Sequence, residues 1–313
     1  MDVMQFTQAL SRIWVLETRL LDKTKVERML EANSADEVLK ILGETEYANI
    51  MGNIKRAADY EEILSTELKR VYKLVYELCP VKEIVDLMST KYKYHNIKVL
   101  LKGKFLEKDL SNMLIDLGRE DLNELKRKID TDNFRDLKGN VEKAVLEVIS
   151  DFEANKDPQK IDIIVDRYMF KELDEIKKSL NYKFTDKLVN AMIDSTNVRT
   201  LLRVKKQGKG REFASEVLVT GGAISTSIYS DLIKEGVESY IATNSANLLE
   251  KLSDNYIMDL MKSGKLVTFG PERILSYIYA KETEIKIIRI IMVGKLNNIT
   301  EEVIRERLRD IYV

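Results

Sequence analysis

The sequence predicts an all-α protein of three similar helical domains that arise from an internal triplication. Two observations predict the helices. Only three prolines and thirteen glycines interrupt the 313 residues, and apolar residues recur at intervals of three to four. A third observation predicts the repeat, because one short motif occurs three times at roughly one-third intervals along the chain. Its copies are Asn96–Lys104, Asn197–Lys205 and Ile287–Lys295.

Each motif copy contains two cations at fixed places. Asn96 and Asn197 open the first two copies, whereas Ile287 opens the third. Apolar neighbours such as Leu100 and Leu201 indicate partial burial, and a partly buried cation needs a fixed partner. We therefore favour a structural role within each domain, with contact to a partner protein as the alternative. The first cations of the three copies are Lys98, Arg199 and Arg289, and the second are Lys104, Lys205 and Lys295.

Four helices are predicted before the first motif from their apolar spacing. Ser34 followed by Glu37 has the pattern of a capping box, and Gly43 suits the position after a helix end. Pro80 ends the longest of the four helices. These predicted helices cover residues 6–21, 22–32, 34–42 and 60–78.

The rest of the chain continues the helical pattern. Asp157 suits an N-cap and Pro158 the first helical position. The stretches 114–118 and 217–222 follow the first two motifs in corresponding places, which supports the repeat. The predicted helices cover 121–129, 137–152, 161–173, 188–205, 248–261, 272–293 and a closing helix over 300–313. The predicted domains are 1–120, 121–222 and 223–313, and the terminal segments can be shared between domains in space.

Composition argues against most kinds of catalytic site. Cations and anions are balanced at 51 and 52, so no global field attracts nucleic acid or anionic lipid. One histidine, His95, and one cysteine, Cys79, rule out a two-histidine metal motif, a cysteine-rich zinc site and an internal disulfide. No Gly-Lys pair is followed by Ser or Thr, as a phosphate-binding loop requires. We expect no catalytic residue, metal or cofactor, no signal peptide and no membrane-spanning segment.

Two basic clusters leave other functions open. The cluster at 91–104 interleaves five lysines with Tyr92 and Tyr94, and the cluster at 203–211 has five cations. Such clusters can bind phosphate, and tyrosines can stack on bases, so a nucleic-acid-binding helical protein is the alternative function. A phosphate-ligand enzyme using the loop 208–210 is a third hypothesis. Balanced charge and the lack of a nucleic-acid-binding motif favour solvated helix ends instead.

Several stretches carry a resemblance to a known family. Arg12–Leu21 resembles the start of the central-stalk subunit of V-type ATPases, called C in archaea and bacteria and d in eukaryotes. His95–Lys104 and Thr196–Lys205 resemble its repeated Asn-hydrophobic-basic-x-Leu-Leu element, and Glu284–Leu308 is similar to its C-terminal signature. The likeness spans the whole chain.

The resemblance implies three helical domains arranged as a funnel with pseudo-threefold symmetry. It implies a monomeric connector on the cytoplasmic face, which seats the D–F rotor shaft on the membrane ring of c/K-type subunits. This connector transmits torque between ATP hydrolysis or synthesis and Na⁺ or H⁺ transport, without catalysis, without nucleic acid, and with membrane contact only through the ring. Ile287 departs from the family's asparagine, so the role of that amide cannot be strictly threefold.

Overall fold

The computed structural model describes residues 1–52, 56–117, 121–226 and 246–313. Within these ranges all regular structure is helical, which confirms the predicted all-α class. No helix in the same ranges is long and apolar enough to cross a membrane. The α-helices are α1 Thr7–Glu17, α2 Lys23–Glu31, α3 Ala35–Leu42, α4 Tyr60–Leu78, α5 Lys82–Phe105, α6 Leu122–Asp130, α7 Gly139–Asn155, α8 Pro158–Leu180, α9 Lys183–Lys206, α10 Arg211–Val217, α11 Ala246–Gly264, α12 Glu272–Leu296 and α13 Glu301–Arg307.

Side-chain caps set several helix starts where the sequence predicts them. Ser34 Oγ accepts from the Glu37 N–H over 3.2 Å, and the Asp157 side chain caps α8, which begins with proline. The Glu37 carboxylate accepts from the Asn33 N–H rather than from Ser34, so the capping box closes one residue earlier than expected. Gly43 follows α3 with φ −63°, a conformation that any residue can adopt.

The predicted closing helix to Val313 is wrong, because α13 ends at Arg307. The following residues turn to an extended path that buries the Tyr312 ring. The Tyr312 hydroxyl donates to Glu17 Oε1 over 2.8 Å, and Lys265 Nζ donates to the Tyr312 carbonyl over 2.7 Å. These long-range contacts stabilise the extended tail in place of the few hydrogen bonds that a longer α13 would form.

One core joins the three motif helices at their N-terminal halves. Buried residues of α5, α9 and α12, such as Met88, Leu188 and Ile278, belong to a single cluster with side chains of α1, α4, α8 and α11. Burial of this many apolar side chains is the main stabilising contribution to such a junction. The motif copies lie beyond it, on the C-terminal halves of the same helices.

Each motif helix has a second core of its own further along. The C-terminal half of α5 packs with α6, α7 and α8, and that of α9 packs with α10. The C-terminal half of α12 packs with α2, α3, α4 and α13, so residues 21–64 and 285–308 share one core. The two ends of the chain therefore meet in one packing unit.

We expect the single thiol to be unreactive in the folded protein. Cys79 is fully buried after α4, its Sγ donates to the Val81 carbonyl over 3.1 Å, and burial raises its pKa to about 11. The thiol therefore stays protonated near pH 8, where an ordinary cysteine is partly thiolate. Labelling with a chromogenic disulfide reagent at pH 8 is expected to be slow in buffer and fast in denaturant. Rapid stoichiometric labelling of the folded chain would contradict this.

Candidate functional site

The two motif asparagines each bind the backbone of a segment that follows their helix. Asn96 Nδ2 donates to the Ile115 carbonyl, and its Oδ1 accepts from the Ile115 N–H, both over 2.8 Å. Asn197 makes the same pair with Val219, at 2.8 and 2.9 Å. Both asparagines are buried, and each satisfies two main-chain groups that no helix pairs. Ile115 and Val219 lie in the corresponding stretches 114–118 and 217–222, of which Gly118 is outside the described ranges.

The third motif holds its segment by a carboxylate instead of an amide. Glu284, three residues before Ile287, accepts from the Leu21 N–H over 2.6 Å. Asp194 occupies the same place before Asn197, and its carboxylate accepts from Ala223 N over 3.0 Å and from the next N–H over 3.2 Å. In the second and third copies, a carboxylate three residues before the motif thus accepts from backbone N–H groups. In the third copy, this carboxylate binds the N-terminal segment at Leu21.

The absence of an asparagine from the third copy has a local explanation. In the first copy, Asn96 binds Ile115, which lies six residues before Asp121, the cap of α6. In the third copy the short helix is α2, which Asp22 caps, and the residue six before Asp22 is Leu16. Leu16 lies in the last turn of α1, where helical hydrogen bonds already pair the backbone, and its carbonyl accepts from the Arg19 N–H over 3.1 Å. The backbone of Leu16 therefore needs no side-chain amide as a partner. Ile287, at the motif position of Asn96 and Asn197, is buried in the same core as Leu21.

The first cation of each motif binds a carboxylate on a neighbouring long helix. All three cations are about a fifth to a half exposed, so solvent weakens each pair. These contacts tie α5 to α8, α9 to α11 and α12 to α4. The pairs are Lys98–Asp166 at 2.7 Å, Arg199–Asp254 at 3.1 Å, and Arg289–Glu61, which is bidentate at 2.7 and 3.0 Å.

The second cation caps a short helix in two of the three copies. Lys104 Nζ donates to the Ile129 carbonyl over 2.8 Å, and Lys295 Nζ donates to the Leu30 carbonyl over 2.5 Å. Ile129 and Leu30 are the next-to-last residues of α6 and α2, each of nine residues. A lysine there pairs an orphan carbonyl and offsets the negative end of the helix dipole. The Lys205 side chain makes no hydrogen bond or ion pair with the part of the chain that the structure describes.

The two basic clusters differ in their pairing. All five lysines at 91–104 form ion pairs, and the Tyr94 hydroxyl donates to Glu172 from a buried ring. In the cluster at 203–211, Arg203, Lys206 and Lys209 are exposed and have no ion pair with any described residue. The pairs of the first cluster are Lys91–Glu282, Lys93–Glu172, Lys98–Asp166, Lys102–Asp162 and Lys104–Asp132.

A cavity of about 630 Å³ lies between all three motif helices, α8, α11 and the C-terminal tail. Asp254 lies at its wall and accepts from Arg199, Lys286 and Arg309. Although burial opposes it, these cations lower the pKa of Asp254 below its usual value. The charged lining residues are Lys91, Arg199, Lys286, Arg289 and Arg309, with Asp254, Glu282 and Asp310.

A fully buried lysine links the N-terminal region to α12. Lys281 Nζ lies 2.8 Å from Glu284 and 3.0 Å from Glu67, and both carboxylates are buried. Although burial opposes it, Glu284 and Glu67 raise the pKa of Lys281 above its usual value. Glu284 also accepts from the Tyr47 hydroxyl over 2.8 Å. Neither Lys281 nor Asp254 was predicted from the sequence, because Lys281 is one of four charged residues within 274–288 and no local signal distinguishes it from the others.

The remaining candidates from the sequence are His95 and the loop 208–210. His95 Nε2 lies 2.9 Å from the Met113 carbonyl, beside the first motif. The loop 208–210 joins α9 to α10, with Gly208 at φ +64°. In the described ranges, no group of three or more His, Cys, Asp or Glu side chains has the arrangement of a metal site.

The profile of the ATP synthase (C/AC39) subunit family matches residues 9–307, and the chain belongs to this family. It is 29% identical over 318 residues to the C subunit of the V-type sodium ATPase of Enterococcus hirae, covering 95% of each chain. It is 24% identical over 351 residues to the C subunit of the A-type ATP synthase of Methanocaldococcus jannaschii, covering 98% of this chain and 87% of that one. The resemblance predicted from the motifs is thereby confirmed.

Proposed function

We propose that this chain is the central-stalk connector of a rotary V-type or A-type ATPase. It seats the D–F rotor shaft on the membrane ring and transmits torque between ATP hydrolysis or synthesis and Na⁺ or H⁺ transport. The observation that carries the proposal is the likeness to the C subunits of such ATPases along almost the whole chain. In this role the chain is a monomer within the complex, lies on the cytoplasmic face, meets the membrane only through the ring, and performs no catalysis.

Rigidity of the motif helices supports a torque-bearing role. A coupler that yields under load loses work, so it needs close packing rather than loose contacts. The shared core joins α5, α9 and α12 at one end, and the ion pairs of Lys98, Arg199 and Arg289 tie each of them to a neighbouring helix. We propose that the motif cations act structurally, by keeping these helix pairs in register.

The paired contacts also support a triplicated origin. The asparagine contacts of the first two copies, the carboxylate contacts of the last two, and the lysine caps of the first and third recur at matching positions. We propose three units near the bounds 1–120, 121–222 and 223–313, arranged as a funnel, with residues 21–64 completing the third unit. The cavity between the motif helices is the funnel's opening and the seat of the shaft.

Reconstitution tests the connector function. A complex assembled without this chain is expected to retain ATP hydrolysis on its catalytic subunits but to lose ATP-driven ion transport into vesicles. Adding the purified full-length chain should restore transport. The control is a complex that is assembled with the chain from the start. Transport that is as well coupled without the chain as with it would refute the proposal.

The nucleic-acid alternative has weaker support. Its first cluster, at 91–104, is neutralised by carboxylates, and only the exposed cations at 203–211 are available to phosphate. We expect no binding to single- or double-stranded DNA or RNA in a mobility-shift assay at physiological salt. A shift that weakens as salt rises, and that Arg203→Gln abolishes, would revive this alternative.

A further inference from the structure

One carboxylate in the cavity wall is shared by three cations. Asp254 Oδ2 accepts from Arg309 Nε over 2.8 Å and from Lys286 Nζ, and Asp254 Oδ1 accepts from Arg199 Nη2 over 3.1 Å. Asp254 and Arg309 are mostly buried, whereas Arg199 and Lys286 are partly open to the cavity. The four side chains come from α9, α11, α12 and the tail, so only the tertiary fold brings them together. We call them the Asp254 cluster.

The cluster carries more positive charge than its own carboxylate neutralises. Glu250 is partly exposed and stands 4.0 Å from Arg309, at the limit of an ion pair. Asp310 lies at the exposed rim of the cavity. Burial together with the charges of Arg309 and Arg199 lowers the pKa of Lys286, despite its contact with Asp254. Partly buried cations in such excess attract an anion.

The cluster also has a free hydrogen-bonding group. Arg199 Nε is buried and donates to no acceptor among the described residues. The other cations of the cavity are satisfied, because Lys91 pairs with Glu282 and Arg289 forms a bidentate pair with Glu61. Among the described residues the charge excess is therefore confined to the Asp254 cluster, and an arginine fork binds carboxylates and phosphates by two parallel hydrogen bonds.

The size and the apolar side chains of the cavity indicate which kind of anionic ligand would fit. Besides the paired charges of Lys91, Glu282 and Arg289, its walls carry apolar side chains, among them Met169, Phe170, Met192 and Ile257. A volume of about 630 Å³ has room for several side chains and is larger than a bare ion needs. A ligand that fills it would combine an acidic group with apolar side chains, as a segment of a protein does.

We propose that the Asp254 cluster binds an Asp or Glu side chain presented, beside apolar side chains, by the rotor shaft. This inference rests on the proposed function and adds the chemistry by which the shaft is recognised. The incoming carboxylate accepts from Lys286 and from an N–H of Arg199 that Asp254 does not use, so Asp254 keeps its contacts with Arg199 and Arg309. Shaft docking then neutralises the excess charge and orders the two partly open side chains.

Binding of the purified D–F shaft complex to the full-length chain tests the proposal. The variants are Lys286→Gln, which removes the charge, and Lys286→Glu, which reverses it. The matched control is Lys178→Gln, since Lys178 also shares a carboxylate, Asp174, with a second lysine but lies outside the cavity at 73% exposure. Calorimetry at two salt concentrations measures the Kd, and circular dichroism checks that each variant is folded.

We expect Lys286→Gln to raise the Kd about tenfold and Lys286→Glu to raise it about a hundredfold, with Lys178→Gln unchanged. The salt dependence of the Kd should be smaller for Lys286→Gln than for the unaltered chain. In a scan of the shaft's acidic residues, one substitution to lysine should restore tight binding to Lys286→Glu.

Two results would overturn the inference in different ways. If Lys286→Glu binds the shaft as tightly as the unaltered chain, the cluster does not recognise an acid, and the connector function stands. If the unaltered chain binds no shaft and restores no coupling, the proposed function fails and this inference fails with it.

Discussion

Replacing Lys281 with alanine is expected to lower the free energy of unfolding by about 3–5 kcal/mol, the usual cost of removing one partner of a buried ion pair. Lys281 is fully buried and is the cation that Glu67 and Glu284 share. Without it, the donors that Glu284 keeps among the described residues are neutral, namely the Tyr47 hydroxyl and the Leu21 N–H. Urea unfolding followed by circular dichroism at pH 7 measures the change.

Two further variants separate charge from packing. Lys178→Ala, which removes an exposed lysine, is expected to change stability by less than about 1 kcal/mol. Lys281→Met retains most of the side-chain volume. Glu67 still pairs with Arg70 without Lys281, whereas Glu284 has no remaining cation among the described residues. Adding Glu284→Gln to Lys281→Met therefore removes the uncompensated charge, so the double variant should be more stable than the sum of the single changes predicts. Equal stability of Lys281→Ala and the unaltered chain would show that the buried network contributes nothing.

Replacing Asn197 with leucine is expected to cost about 2–4 kcal/mol, because each buried polar group left unpaired costs about 1–3 kcal/mol. The side chain is fully buried, and its amide pairs both main-chain groups of Val219. Leucine has a similar size but cannot donate or accept a hydrogen bond. Urea unfolding measures the cost, and hydrogen exchange should show faster exchange of the Val219 amide.

The third motif supplies a reciprocal test of the same contact. Ile287→Asn puts an amide into the buried apolar core that α12 shares with α2, α3, α4 and α13, so it should also destabilise the chain. Asn123→Leu, at an exposed position of α6, is expected to have little effect. If Asn197→Leu were as stable as the unaltered chain and protected the Val219 amide equally, the amide contact would not be what holds this segment.

Local sequence signals predicted the helices well because they depend on near neighbours. Apolar spacing predicted α4 and α12 close to their observed bounds, and the Asp157-Pro158 pair marked the start of α8. The capping of α3 by Ser34 depends on atoms three residues apart. Helix periodicity and caps are properties of short windows, so a single sequence is enough to predict them.

Long-range contacts determined what local signals could not. The tail after Arg307 continues a helical pattern, yet it is extended because Tyr312 bonds to Glu17 at the other end of the chain. The composition of the Asp254 cluster was likewise not predicted, since Asp254 resembles any acid on an amphipathic helix. Its three cations are distant in sequence, from Arg199 to Arg309.

Residue order and spacing were enough to predict the helical class, the place of each motif and the family resemblance. The roles of the motif residues became clear only from their tertiary contacts. Asn96 and Asn197 bind a following backbone segment, whereas Ile287, at the same motif position, packs in an apolar core. The physical reason is that a buried polar group is defined by its partner, and these partners lie about twenty residues away or at the opposite end of the chain.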